Sequence, residues 1–295
     1  MTFQEHIERV RKYFADLRRG EMRFADVGRT ARGFIDRATA GSGGLELGGL
    51  ATDLRVGLAF YTRLPVAPPG PIDGAAVARA SWCSPLVGVV VGALAALVYW
   101  ASVRLNLPQL VAATLAVAAS MLITGALHED GLADTADGFG GATRAQALDI
   151  MRDSRIGTFG ACALIVSLAL RVGAINDLPK TSLVAWALVG AHAAARGALP
   201  LFMRALPPAR ADGLSAQAGA PTPMRALAAA LIGAVILWIA LGMAAALIAI
   251  VFMLLGTGVL ALVSHRKLGG QTGDVLGTAE QIGECIVLMT TAARF

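Results

Sequence analysis

From His128 to Gly141 the chain reads HEDGLADTADGFGG. It places four carboxylates, Glu129, Asp130, Asp134 and Asp137, within nine residues directly after an apolar run. On a helix, Asp130, Asp134 and Asp137 fall at i, i+4 and i+7 and share one stripe, whereas Glu129 points about 100° away from Asp130. Three like charges on one stripe repel and raise one another's pKa unless a cation lies among them. Hard carboxylate oxygens with open positions suit Mg²⁺, which is commonly held by a few carboxylates together with substrate phosphates. Gly131, Gly138, Gly140 and Gly141 let a backbone or a phosphate come close. A solvated acidic loop is the competing reading, and the glycines favour a Mg²⁺–phosphate site over it.

Three further blocks carry groups suited to phosphate. In MRDSRIGTFG (151–160), Arg152 and Arg155 can take phosphate oxygens or pair with the acidic stripe, against a plainer role as basic flanks of the next span. His192 and Arg196 lie four residues apart inside an apolar run and so share a face. An arginine near a helix centre costs on the order of 2.5–3.5 kcal/mol on insertion scales, so Arg196 either snorkels to the membrane edge or faces the cavity of the acids and holds a phosphate. In KLGGQTGDVLG (267–277), Gly270, Thr272 and Asp274 form a glycine-rich turn before a helix, suited to an anion or a metal. It is not a P-loop, because GxxxxGK[ST] is missing. Arg63, in TRLPV (62–66), precedes a rigid Leu-Pro turn and is a candidate anion ligand or a headgroup arginine.

The elements that hold these groups are membrane helices. Of 295 residues, 56% are hydrophobic and 15% charged, with 34 glycines and 6% aromatics. A soluble domain carries about 25% charged residues. The expected fold is therefore an all-α, polytopic helical bundle integral to a membrane. A bilayer core of ~30 Å needs about 20 apolar residues as a helix. Runs 85–103, 109–127, 157–175 and 183–203 meet this, and the long run 226–263 divides near Gly242-Met243 into two. That gives six spans, with a doubtful seventh at 275–292, interrupted by Glu280, Gln281 and Glu284. Residues 1–45 read as a basic amphipathic extension that lies on lipid or packs on the protein, ahead of a transmembrane catalytic domain over 46–295.

Charge sets the orientation. With the basic N-terminus inside, segments 128–156, 204–225 and 264–274 all face the cytoplasm and carry Arg144, Arg152, Arg155, Arg204, Arg210, Arg225, Arg266 and Lys267. The net charge of +5 is scattered at span ends, which suits lipid headgroups rather than nucleic acid. Cys83, Cys162 and Cys285 form no CxxC pair, so neither a disulfide framework nor a structural zinc site is expected.

Taken together, TRLPV (62–66), SPLVG (84–88), HEDGLADTADGFGG (128–141), IMRDSRIGTFGA (150–161), AHAAAR (191–196) and GGQTGDVLG (269–277) resemble the cobalamin synthase, or adenosylcobinamide-GDP ribazoletransferase, family. The similarity runs in order from about Leu50 to Glu284. It implies a Mg²⁺-dependent enzyme of the inner membrane whose site faces the cytoplasm. The implied substrates are adenosylcobinamide-GDP and α-ribazole or its 5′-phosphate. The implied products are adenosylcobalamin, or its 5′-phosphate, and GMP. Carried onto this sequence, the acidic block supplies Glu129, Asp130, Asp134 and Asp137, with Asp130, Asp134 and Asp137 expected to hold one or two Mg²⁺ ions. Arg152, Arg155 and Arg196 are expected on outer phosphate oxygens. The proton of the attacking hydroxyl is expected to pass to a stripe carboxylate, to Asp274 or to His128. A homo-oligomer and other cobalamin-pathway enzymes are the candidate protein partners.

Two rivals stand beside this reading. A CDP-alcohol phosphotransferase also clusters aspartates on membrane helices, but its DGxxAR motif is not met by Asp130-Gly131-Leu132-Ala133-Asp134 here. A transporter would explain His192 and Arg196 inside a span, yet the charged motifs gather on one membrane face rather than at the midplane.

Overall fold

The computed structural model of the chain describes residues 47–293 apart from Pro69 and Gly213. The expected amphipathic extension at 1–45 lies outside the described residues. Among the described residues twelve α-helices follow in order. They are α1 (Leu47–Tyr61), α2 (Gly74–Ala80), α3 (Ser84–Arg104), α4 (Gln109–Thr124), α5 (Leu127–Phe139) and α6 (Arg144–Ile150). Then come α7 (Thr158–Asp177), α8 (Thr181–Ala205), α9 (Leu214–Ala218), α10 (Pro223–Leu241), α11 (Met243–Leu268) and α12 (Gly273–Ala292). No strand occurs among the described residues; Pro208 and Gln271 form an isolated bridge.

Five helical segments are long and apolar enough to cross a membrane: Gly74–Arg104, which contains α2 and α3, then α7, α8, α10 and α11. A sixth is reached only if α4 and α5 count together, and they meet at a 90° bend. The apolar pattern carries the expected second span on to Leu127. The backbone stops it at Thr124, because Gly125 and then Ala126 take left-handed conformations, with φ of 67° and 55°. We read α5, which leaves this elbow carrying four acids, as lying outside the membrane-spanning segments. The division of the long run falls at Gly242, whose φ of 82° only glycine adopts without strain.

The doubtful seventh segment is a continuous helix, α12, but its role differs from a span. Glu280, Gln281 and Glu284 are buried inside the bundle, together with Val275, Ala279, Val287 and Leu288. On α10 and α11, by contrast, Leu231, Leu254, Leu255 and Val259 are exposed, as side chains facing lipid tails are. Apolar helices form the outside and a polar helix fills the middle.

Close packing depends on small residues. Gly88 and Gly92 of α3 lie against the backbone of α8 at His192-Ala193 and Leu188-Val189, where a Cβ would collide with main-chain atoms. Such small-residue seams bring membrane helices into contact without an aqueous hydrophobic drive. They press α8 inward, and Arg196 and His192 are buried as a result.

Candidate active site around the acidic helix

The local sequence makes α5 two-faced. Gly131, Ala133, Thr135 and Gly138 are buried, Asp130 is exposed, and Asp134 and Asp137 are half-buried. Glu129 and Asp130 in the first turn favour the positive helix start. Asp137 anchors the far end: its Oδ2 accepts from the Gly157 N–H at 2.7 Å and its Oδ1 from the Gly160 N–H at 2.9 Å. These amides open α7, so Asp137 serves as the anion at a helix N-terminus. Each oxygen still keeps a lone pair.

The fourth acid arrives from α12. A Cβ on Gly131 would lie 2.8 Å from the Asp274 carbonyl, so only glycine lets the two helices approach so closely there. The Thr278 hydroxyl donates to the Gly131 carbonyl at 3.1 Å across the same contact. Asp274 thereby joins Asp130 and Asp134. Its carboxylate accepts from Thr272 Oγ1 at 3.1 Å and pairs with Arg210 at 3.3 Å. Arg210 is put there by the bridge between loops, in which the Ala209 N–H donates to Gln271 at 2.7 Å and the Gln271 N–H to Pro207 at 2.8 Å.

The electrostatics are those of a crowded acidic site. Burial and the charges of Asp130, Asp274 and Asp137 push the Asp134 carboxyl up to about 7, against the pull of Arg210. Burial also raises Asp274, which Arg210 and Thr272 oppose. Four carboxylates share one guanidinium, so a further cation stabilises the set. The oxygen-only donors suit a hard divalent ion such as Mg²⁺.

A cavity borders each end of the stripe. One of about 380 Å³ lies between Arg63, Phe60, Gly125, Leu127 and Asp130. The Arg63 side chain is laid over Gly125, and its N–H is held by the Ile123 carbonyl at 2.6 Å. The other, about 500 Å³, is lined by Asp137, Arg155, Ile156, Gly157 and Phe159. The three basic segments meet here as well: Lys267 donates to the Phe139 carbonyl at 2.5 Å and Arg144 to the Ala209 carbonyl at 2.7 Å.

Several expected site residues stand elsewhere or are already engaged. Arg152 pairs with Asp212 at 2.5 Å, and Arg155 with Asp153 at 2.6 Å, which holds the Asp153 carboxyl down near 2. Thr272 is fully buried and caps α12 by accepting the Val275 N–H, while Gly270 packs its backbone on Pro207. His128, Glu129, His192 and Arg196 are not on the stripe. The 100° step from Asp130 turns Glu129 inward, where the Arg171 guanidinium meets it at 2.9 Å and also Glu284 at 3.2 Å. Arg196 pairs with Glu280 at 2.5 Å, and His192 lies 3.3 Å from Glu284. His128 Nδ1 lies 3.5 Å from Glu280. One nitrogen of His192 and one oxygen each of Glu280 and Glu284 fall within 4.8 Å of one another, but each of those carboxylates is already paired with a guanidinium.

Arg210, Arg171, Glu280 and Glu284 were not expected at the site. For the last three a signal existed, since a charge within an apolar run marks a bundle interior. Arg210 gave none beyond its charge, because the bridge between two distant loops places it.

Among known proteins, a family profile described as cobalamin-5-phosphate synthase matches residues 53–292. A protein of Bradyrhizobium diazoefficiens named adenosylcobinamide-GDP ribazoletransferase is 52% identical over 243 residues, covering 82% of this chain and 93% of that one. Proteins of the same name from Mesorhizobium japonicum and Azorhizobium caulinodans are 44% and 45% identical, each over 81% of this chain and over 92% and 95% of theirs. No solved structure matches. With the profile spanning helices α2 to α12 and these relatives matched over nearly their whole length, the chain belongs to the cobalamin-5-phosphate synthase family.

Proposed function

We propose that the protein is an adenosylcobinamide-GDP ribazoletransferase of the inner membrane, dependent on Mg²⁺, with its site facing the cytoplasm. A ribose hydroxyl of α-ribazole or its 5′-phosphate attacks the phosphorus linked to cobinamide. The bond from that phosphorus to the GMP oxygen breaks, and GMP leaves. Neither a CDP-alcohol phosphotransferase nor a transporter is favoured by the relatives, which share one name.

The observation that carries this reading is an acidic stripe with a cavity and an arginine at each end. Asp130 and Asp137 are separated by about 10 Å of helix rise, enough for two substrates to meet over one pyrophosphate. Phosphoryl transfer asks for positioning and charge neutralisation more than for covalent help. Asp130, Asp134 and Asp137 would hold Mg²⁺, which supplies neutralisation of the pyrophosphate charge as the GMP oxygen departs. Burial and the mutual repulsion that together raise Asp134 fit that role. Arg63 stands where phosphate oxygens of a substrate would lie. Asp274, raised by burial and steadied by Thr272 and Arg210, is the carboxylate suited to take the hydroxyl proton. The basic segments gathered on this side support a cytoplasmic orientation.

The test is turnover by purified protein in nanodiscs, given adenosylcobinamide-GDP and α-ribazole or its 5′-phosphate, with Mg²⁺ or EDTA. GMP release that needs both substrates and the metal is expected. Release that persists in EDTA removes the metal from the reaction, and none at all from folded protein overturns the transferase reading.

A further inference from the structure

Beside the acidic stripe, and separate from it, lies a buried ionic cluster. Arg171 of α7 bridges Glu129 of α5 at 2.9 Å and Glu284 of α12 at 3.2 Å, and its side chain has no exposure to solvent. Arg196 of α8 pairs with Glu280 of α12 at 2.5 Å. Three carboxylates thus face two guanidiniums. Removing one partner of a buried pair is costly because the other charge is left uncompensated.

The cluster is also the tie between the acidic helix and its neighbours. Glu129 and Asp130 are adjacent in sequence and diverge by about 100°, one inward to Arg171 and the other outward to the stripe. A slide of α5 by one residue would rotate Asp130, Asp134 and Asp137 away from Asp274. The 2.9 Å contact at Glu129 forbids that slide at one end of the helix, as the Asp137 amide bonds do at the other.

We propose that Arg171 is a positioning residue for cation binding. By holding Glu129 it fixes the register of α5 on α7, and so where the three stripe aspartates stand. It touches neither substrate nor metal. The inference rests on the stripe being the cation site.

The test compares two substitutions that change the charge equally. Glu129→Gln and Glu284→Gln each replace one carboxylate that Arg171 holds, but only the first weakens the tie to α5. Full-length protein in nanodiscs is titrated with Mn²⁺, free ion being read by electron paramagnetic resonance, and amide hydrogen exchange is followed helix by helix. Glu129→Gln is expected to weaken Mn²⁺ binding at least fivefold and to speed exchange in α5 while α10 and α11 stay as in the parent. Glu284→Gln is expected to change Mn²⁺ binding less than twofold, and Arg171→Lys, keeping the charge, to fall between them. Equal effects of the two glutamate substitutions, or faster exchange spread over all helices, would overturn the proposal. If the parent binds no Mn²⁺, the reading of the stripe fails. Exchange then judges Arg171 alone: selective loosening of α5 sustains the register role, and its absence ends it.

Discussion

Asp134→Asn should make the metal-free protein more stable and, at the same time, inactive. The Asp134 carboxyl is raised from its ordinary 3.8 to about 7 by burial and by Asp130, Asp274 and Asp137. At 1.36 kcal/mol per pH unit, that rise corresponds to about 4 kcal/mol of cost to the ionised form. Asp134 is only half-buried, so solvent screening reduces the figure to roughly 1–2 kcal/mol. For a raised acid the sign is fixed. The folded state holds the proton more tightly than the unfolded one, so stability is greatest below about pH 4 and declines as pH rises toward 7. Asparagine carries no charge and removes that decline. For a chain of this size the gain at pH 8 in EDTA amounts to a few degrees of melting temperature. The assay is thermal unfolding in detergent at pH 5 and pH 8, with EDTA or with Mg²⁺, beside GMP release. Mg²⁺ should raise the parent's melting temperature at pH 8 and leave Asp134→Asn nearly unmoved. An Asp134→Asn protein less stable than the parent at pH 8 in EDTA would refute the reasoning, since like-charge repulsion would then not be stored at this stripe.

The remaining expectations concern the neighbours of the stripe. Gly131→Ala places a Cβ 2.8 Å from the Asp274 carbonyl and should lower kcat at least tenfold in protein that still elutes as a single species on gel filtration. Arg210→Met removes the cation that holds Asp134 and Asp274 down, so the acid limb of the kcat/KM–pH profile should move to higher pH. Arg63→Ala should raise KM for one substrate about tenfold, near 1.4 kcal/mol, with kcat little altered. Substrate-by-substrate KM values check it, and a uniform loss of kcat would contradict a binding role.

The acidic stripe was legible from spacing alone, because a helix converts i, i+4, i+7 into one face whatever surrounds it. The spans were legible from apolar length, and Gly242 marked the break in the longest run. The 90° elbow was not, since Ala126 and Leu127 continue an apolar pattern while the backbone has already turned at Gly125. The roles of Arg196 and His192 were only half readable. One helix face was predicted for the two, but their partners lie on α12, some 90 residues onward, and separation in sequence hides such pairs. Arg155 illustrates the converse, as Asp153, two residues before it, takes it up ahead of any distant anion, whereas Arg152 meets Asp212 from 60 residues away. Thr272 looked like a ligand and is a helix cap, two uses that a hydroxyl before a helix serves equally well.

The burial of α12 in the middle of the bundle bears on how the protein is made. Ribosomes deliver Arg171 and Arg196 to the membrane well before Glu280 and Glu284 exist. At about 5–20 residues per second the interval from Arg171 to Glu284 is on the order of 5–20 s. Throughout it, Arg196 has no carboxylate from its own final pair, at an insertion cost of about 2.5–3.5 kcal/mol for a central arginine. The outer apolar helices precede α12 in the chain, and that polar helix can fill the middle of the bundle only after they are made. A chain stalled before Gly273 therefore leaves Arg196 without Glu280, and the acidic face lacks Asp274 until α12 is made.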